Sequence, residues 1–335
     1  MSKHRLPFEK EIYELEDLLS ALESQGHRGS EEIRRIRREL VALKRRTYGN
    51  LNAWETIQVA RHVERPQTAD YIDLIFEDFV ELHGDRAIGD DRAIRTGFAR
   101  LGDFRVMLIG HHKGRTIQER TACFFGCAHP EGYRKALRCM RLAAKFRIPT
   151  ICLIDTPGAY PGIGAEERGQ SQLIATNLVE MSRLPTPIIC VVIGEGGSGG
   201  ALGIGIGDRI SMLEHAYYSV ISPEGCAGIL WREANDITRP LAADALKLTA
   251  RHLMHLGIID DVIPEPLGGA HRDQREMANT LKNYLVRTLR ELRSQPMDKL
   301  LDLRYQKFRK MGVYLTGDPE SSVASKALDN GHLAS

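Results

Sequence analysis

Residues 188–207 read IICVVIGEGGSGGALGIGIG. The apolar run 188–193 has the length and β-branched content of a buried strand, and it opens directly into closely spaced glycines. Upstream, Ile151-Cys152-Leu153-Ile154 runs in the same way into Asp155-Thr156-Pro157-Gly158-Ala159-Tyr160-Pro161-Gly162. Each stretch reads as a buried strand ending in a glycine-rich turn that starts a helix. Such a turn leaves backbone N–H groups unpaired and pointing one way, and glycine lets a ligand approach that backbone closely. The chemistry of this chain is therefore expected in backbone amides, with an oxygen atom as the group they hold.

Working outward, strand–turn–helix recurs. An apolar strand over 106–109 is closed by Gly110 and followed by the basic turn His111-His112-Lys113-Gly114-Arg115. Pro130-Glu131 starts a helix carrying Tyr133, Leu137, Met140, Leu142 and Ala143 inward, and a helix over 163–184 buries Leu173, Ile174, Leu178 and Met181. Strands are predicted over 210–213, 217–221 and 258–263, and helices from Ser222-Pro223-Glu224, over 240–257 and over 273–292. Tyr71, Ile72, Ile75, Phe76, Phe79, Val80 and Leu82 read as one helix face. The repetition predicts an α/β fold with largely parallel strands. Residues 1–50 are a separate piece. Ile12, Leu15, Leu19 and Leu22 repeat at helical spacing, as do Ile33, Ile36, Leu40 and Leu43, with Ser30-Glu31-Glu32 starting the second run. They predict a helical hairpin arm, packed on its own body or gripping another subunit. The expected organisation is the arm over 1–50, a main domain over 51–294, and a C-terminal helix with a disordered tail over 295–335, polar and small from Thr316 onward.

The totals narrow the class. In 335 residues Lys+Arg number 46 and Asp+Glu 44, so no basic field marks a nucleic-acid binder. Mean hydropathy is −0.28 and no apolar run approaches the ~18 residues of a membrane span. The charged start MSKHRLPFEKEIYELE lacks an apolar signal core, so a cytoplasmic location is expected. The six cysteines are scattered, which predicts reduced thiols. Cys123, Cys127 and His129 lie close together, but no second Cys/His pair stands at zinc spacing, and no metal is expected.

Three chemistries compete for the glycine turns. Asp155-Thr156-Pro157-Gly158 resembles the magnesium-binding end of a P-loop strand, but the chain holds no G-x-x-x-x-G-K-[ST] loop to cradle phosphate. Gly196-Gly197-Ser198-Gly199-Gly200 fits the G-x-S-x-G elbow of a serine hydrolase, with His215, His252 and His255 downstream as candidate bases. Four flanking glycines exceed what an elbow needs and suit exposed backbone instead. The third chemistry is an oxyanion hole without a protein nucleophile, which accounts for both turns at once.

The segments FEDFVELHGDR (76–86), PEGYRKALR (130–138), IDTPGAYPGIGAEERGQS (154–171), VIGEGGSGGAL (192–202), YSVISPEGCAGILW (218–231) and IIDDVIPEPLGGAHRD (258–273) closely resemble the alpha-subunit family of bacterial acetyl-CoA carboxylase carboxyltransferases. The likeness spans about residues 51–285, and RYQKFR at 304–309 is similar less specifically. The resemblance implies a crotonase-like fold of strand–strand–helix units. It implies transfer of a carboxyl group from carboxybiotin, delivered on a biotin carboxyl carrier protein, to acetyl-CoA, giving malonyl-CoA for fatty acid synthesis. It implies a beta subunit bearing the zinc, an alpha2-beta2 assembly, and biotin carboxylase in the wider complex. The chain has neither a four-cysteine ribbon nor a Met-Lys-Met biotinylation site, in keeping with that division of labour. On this reading Gly199, Gly200 and Ala201, with Gly196 and Gly197, offer the amides for the biotin ureido oxyanion. Gly158, Ala159, Tyr160 and Gly162 form the neighbouring wall. Lys113 and Arg115 are candidates for a CoA phosphate or the transferred carboxylate, although a solvated turn is their plainer reading. Glu166 and Glu167 suit either a catalytic role or the dipole of the helix they start.

Overall fold

The computed structural model describes residues 4–24 and 31–312. The strands among them form one sheet: β1 Glu77–Glu81, β2 Ile94–Leu101, β3 Phe104–His111, β4 Thr150–Thr156, β5 Ile188–Gly197, β6 Arg209–Leu213, β7 Tyr217–Ser219 and β8 Asp261–Ile263. Their order is β1-β2-β3-β4-β5-β6-β8, and β7 pairs with the end of β5. The pairs from β3 to β8 are parallel, as the alternation of strands and helices predicts. The pairs β1·β2 and β2·β3 are antiparallel; for β2·β3 the tight Gly102-Asp103 connection, with Gly102 at φ +57, leaves no length for a crossover.

β4 and β5 are buried at every residue, which is why they read as unbroken apolar runs. They pair in register through Cys152 and Cys190, and an irregularity after Ile154 brings Thr156 beside Gly196. Both glycine turns therefore leave the sheet at one place. The helix Pro130–Lys145 presses Tyr133, Ala136, Leu137, Met140 and Ala143 into the core and packs on β2, β3 and the helix Gln170–Arg183. No helix among the described residues is long and apolar enough to cross a membrane.

Several expected elements change form. The helix face over 71–82 stops with the helix Thr68–Ile75, and the rest becomes β1. Pairing with β2 overrides the apparent helical spacing there, and Gly97 of β2 makes room for Phe79, whose ring lies 2.5 Å from where a Cβ would stand. No strand is expected over 94–101, yet β2 forms there, paired antiparallel with both β1 and β3. The helix over 163–184 breaks at Gly169, φ +81, into Ile163–Glu167 and Gln170–Arg183. The helix over 240–257 breaks into Thr238–Ala245 and Ala250–His255, where Lys247 turns left-handed at φ +49 and Thr249 bridges to Tyr217. The Ser30 helix start and the tail from Thr316 lie outside the described residues.

Two buried ion pairs fasten the ends of the chain. The arm helices Lys10–Ser24 and Glu31–Gly49 share a core of Ile12, Leu40, Leu43 and Tyr48 with Val59 of the body. At the base of the arm, buried Glu9 accepts from Tyr13 Oη at 2.9 Å and Tyr48 Oη at 2.7 Å, and meets Arg272 at 2.5 Å. The base of the arm thus packs on its own body. At the other end, the helix Met297–Lys310 inserts Arg304, which is 1% exposed. Its guanidinium donates to both Asp208 carboxylate oxygens and to the carbonyls of Met181, Leu184 and Thr186, at 2.7–2.9 Å. Asp208 in turn accepts from Ile188 N at 2.7 Å, at the first residue of β5. Arg304→Leu would strand Asp208 as an unpaired buried charge. It should destabilise the chain by about 3–5 kcal/mol, seen as a lower urea midpoint in circular dichroism melts.

Candidate active site

The turns after β4 and β5 touch backbone to backbone. A Cβ on Gly197 would lie 2.1 Å from Pro157 O, and one on Gly200 would lie 2.4 Å from Gly158 C and 2.5 Å from Ala159 N. Packing of one turn on the other therefore demands glycine at both places. Gly203 yields in the same way to the Tyr133 ring, whose hydroxyl donates to Gly200 O at 3.4 Å. The first turn is tied down in its own right. Thr156 Oγ1 accepts from Gly158 N at 3.1 Å and lies 2.7 Å from the carbonyl of Gly126, to which it donates. Tyr160 N donates to Ala128 O at 3.0 Å, and the Gln170 amide bridges the carbonyls of Ala128 and Tyr160 at 2.8 and 3.0 Å. The Tyr160 ring stacks on His129, with centroids 4.1 Å apart, and Phe124 closes the group at 4.0 Å from His129.

The second turn has a different economy. Gly196 and Gly197 still belong to β5, paired with Thr156, Tyr218 and Ser219. The chain then reverses at Ser198, φ +47, into the short helix Ser198–Leu202. Ser198 and Gly199 are partly exposed, whereas Gly200 and Ala201 are buried. The first amides of a helix have no acceptor within it, and Ala201 is the first position that gains one. Of the predicted amides, those of Gly199 and Gly200 sit at the helix start, those of Gly196 and Gly197 lie in the sheet, and that of Ala201 lies one step into the helix. Gly158, Ala159 and Tyr160 stand on the facing turn, and Gly162 caps the helix Ile163–Glu167.

Beneath both turns lies a layer of buried charge. Lys113 Nζ sits 2.6 Å from Asp155 Oδ1, at the end of β4, and 3.2 Å from Glu195 Oε1, near the end of β5. Asp155 Oδ1 also accepts from Glu195 N at 2.9 Å. The other Glu195 oxygen accepts from Tyr217 Oη at 2.9 Å and faces Arg61 Nε at 3.3 Å. Arg61 continues to Glu224 at 2.6 Å, at the start of the helix Pro223–Leu230. Burial alone would lift the Glu195 carboxyl, but Lys113, Arg61 and the Tyr217 hydroxyl hold it below the ordinary range. Burial would likewise lower the Lys113 ammonium, but Asp155 and Glu195 raise it. A solvated basic turn therefore does not describe Lys113. Arg115 points elsewhere, to Asp70 and to the carbonyls of Val63 and Arg65.

A serine triad is not assembled. The Ser198 hydroxyl has no hydrogen-bond partner among the described residues. His252 bonds Thr249 at 2.9 Å, and the His215 ring packs edge-on against Tyr48 with centroids 5.5 Å apart. His111, the histidine beneath the turns, accepts from Asp155 N at 3.4 Å. Burial, with Lys113 adding to it, pushes its imidazole down to about 3, so it stays neutral at working pH.

Sequence reasoning did not single out Arg61, Glu195, Tyr217 or Glu224. A faint signal existed: Asp155 and Glu195 are each a lone acid closing an apolar strand, and a buried acid calls for a cation. Nothing in the spacing says that the cations come from positions 61 and 113.

A profile of the family described as "Acetyl co-enzyme A carboxylase carboxyltransferase-like" matches residues 5–312. The chain is 60% identical over 313 residues to the acetyl-coenzyme A carboxylase carboxyl transferase subunit alpha of Rhodopirellula baltica, covering 92% of this chain and 98% of that one. It is 55% identical to the protein of the same name from Methylococcus capsulatus, covering 92% and 97%. Among solved structures, transcarboxylase 12S aligns with a TM-score of 0.53 at 23% identity, over 70% of this chain and 45% of that chain. The beta subunit of Pseudomonas aeruginosa geranyl-CoA carboxylase aligns at 0.52 and 17% identity, over 74% and 46%. This chain spans less than half the length of those two proteins, and the likeness to them is one of fold: the crotonase-like carboxyltransferase architecture.

Two stability measurements probe the site without a substrate. Gly200→Ala forces backbone apart and should cost about 1–3 kcal/mol. Gly199→Ala meets only Ile174 Cδ1, at 3.5 Å, and should melt within about 0.5 kcal/mol of the parent. His111 gives a pH test. Its folded pKa lies below the ordinary 6.5, so the unfolded chain takes the proton first and stability falls as pH drops from 6.5 toward 3. Thermal melts between pH 7 and 5 should show this slope, shallower in His111→Gln by on the order of 1 kcal/mol per pH unit.

Proposed function

The chain belongs to the acetyl co-enzyme A carboxylase carboxyltransferase-like family, and from that premise we propose that its paired glycine turns form the biotin-side half of the transfer site. The family's reaction is the carboxyl transfer of acetyl-CoA carboxylase, and this chain is a component of the alpha-subunit type, working with a partner subunit. Carboxybiotin supplies an activated carboxyl group, and its departure leaves negative charge on the ureido oxygen.

The amides of Gly199 and Gly200 donate hydrogen bonds to that oxygen. Backbone N–H groups suit the task because they are neutral donors that neither lose a proton nor become carboxylated. They are fixed in advance, and such donors contribute most when no reorganisation is needed at the moment of reaction. The observation that carries this reading is the contact between the turns. Glycine packing fixes the helix start against Gly158 and Ala159, while Ser198 and Gly199 alone in that turn reach the surface. A Cβ-free cradle at Gly199 fits a flat ureido ring. Ser198 serves as the turn residue, and its hydroxyl is not a nucleophile.

The partner is the beta subunit, which carries the zinc and seats the thioester of acetyl-CoA, in an alpha2-beta2 assembly. Carboxybiotin arrives on a biotin carboxyl carrier protein charged by biotin carboxylase, in the cytoplasm. The reading is tested by mixing the purified chain with the beta subunit, a biotinylated carrier and malonyl-CoA, and following carboxyl transfer. The complex should be active and the chain alone inactive. A well-folded complex without transfer would overturn the reading. Ser198→Ala should keep transfer within about threefold, whereas a hydrolase would lose about 10⁴-fold or more.

A further inference from the structure

The two turns can act as one site only if the ends of β4 and β5 keep their spacing, and the residue that spans those ends comes from the loop after a third strand. Lys113 follows β3, and its ammonium contacts Asp155 on β4 and Glu195 on β5 at once, at 2.6 and 3.2 Å. The surroundings are cut to let it through. Gly126, at φ +86, would place a Cβ 2.8 Å from Lys113 Cγ, and Gly194 would place one 2.6 Å from Asp155 Oδ1. The Gly126 carbonyl is also the one that receives the Thr156 hydroxyl, so the wall around Lys113 and the first turn are a single structure.

We propose that Lys113 is a positioning residue for carboxyl transfer: it cross-ties Asp155 and Glu195 and so sets the turn bearing Gly158 and Ala159 against the turn bearing Gly199 and Gly200. Each carboxylate lies close to its own turn. Asp155 precedes Thr156 and Pro157, and Glu195 directly precedes Gly196. Asp155 Oδ1 holds both Lys113 Nζ and the amide of Glu195, so movement of the ammonium is passed to both strand ends. Other groups facing this cluster are Arg61, Tyr217 and Glu224 on the Glu195 side. They anchor Glu195 from outside but do not reach Asp155, which leaves Lys113 as the side chain joining the two acids. A misplacement of about 1 Å in a reacting geometry can cost 10²-fold in rate, and turns in backbone contact have no slack to absorb one.

The proposal rests on the carboxyl-transfer reading, and its test keeps the two apart. The complete complex with beta subunit and biotinylated carrier is assayed with malonyl-CoA for wild type, Lys113→Met, Lys113→Arg and Lys113→Met/Glu195→Gln. Wild type should transfer. Lys113→Met should lose ~10–100-fold in kcat, assayed well below its melting transition, with the KM for malonyl-CoA and subunit assembly unchanged; its melting temperature should fall, because two buried carboxylates lose their shared cation. Lys113→Arg, able to span two carboxylates, should recover most of the loss. The double variant should be no slower than Lys113→Met alone, because both changes cut the same tie. An inactive wild-type complex overturns both readings. An active wild type with an equally active Lys113→Met overturns this one. So does a kcat that recovers in the double variant in step with its melting temperature, which removal of one stranded charge should raise, or a loss that tracks assembly, since that is structural support alone. If Lys113→Met does not fold, Lys113→Arg and Glu195→Gln decide: a kcat loss of less than about twofold in Glu195→Gln overturns the proposal.

Discussion

The site depends on the approach of two backbones to within a distance no Cβ permits. Gly197 against Pro157 and Gly200 against Gly158 and Ala159 are contacts between main chains, and they fix where the helix start after β5 can lie. Such a contact is stiff. Side chains relieve crowding by changing rotamer, but a backbone must move its whole strand. The full burial of β4 and β5 and their in-register pairing make that movement costly, and Arg304 and Asp208 pin the opposite end of β5. Precision at the turns is therefore inherited from the core of the sheet.

Backbone contact alone leaves a charge problem. Asp155 and Glu195 close the two strands with carboxylates that are nearly buried, and unpaired they would repel one another and draw in water or protons. Lys113 and Arg61 settle the charge, and Tyr217 and the amide of Glu195 occupy remaining acceptor sites. Replacing such a cluster with apolar residues often costs little stability. Its worth here lies in joining elements distant in sequence: position 61 after the helix Ala53–Ala60, position 113 after β3, and position 224 in the helix that follows β7.

Much of this was legible in the residues. The glycine turns, the buried strands that feed them and the family motifs stand out because each is local: a run, a turn, a spacing. The misread elements were decided from a distance. Phe79 and Val80 keep helical spacing with Tyr71 and Ile72, yet they form a strand because β2 offers a partner edge and Gly97 a pocket. Gly169 and Lys247 break helices that the apolar pattern alone would continue. Lys113 reads as a surface cation in the run His111-His112-Lys113-Gly114-Arg115, and its burial follows only from the position of two acids 42 and 82 residues further on. Arg115, two residues away, does stay outside.

Ser198 shows how narrowly two chemistries are divided. A left-handed serine at a strand-to-helix turn is the conformation a hydrolase uses to present its nucleophile, and a non-glycine residue there bears a steric cost. What is missing is a base: the histidine beneath the turns is neutral and engaged with Asp155, and nothing described bonds the hydroxyl. The same reversal, flanked by glycine rather than by bulkier residues, leaves Ser198 and Gly199 partly exposed at the helix start. That choice has a consequence for control of the reaction. Peptide N–H groups do not titrate in the physiological range, so the donors proposed for the oxyanion are themselves indifferent to pH. Below them, in the proposed tie between the strand ends, Lys113 and Glu195 hold each other charged.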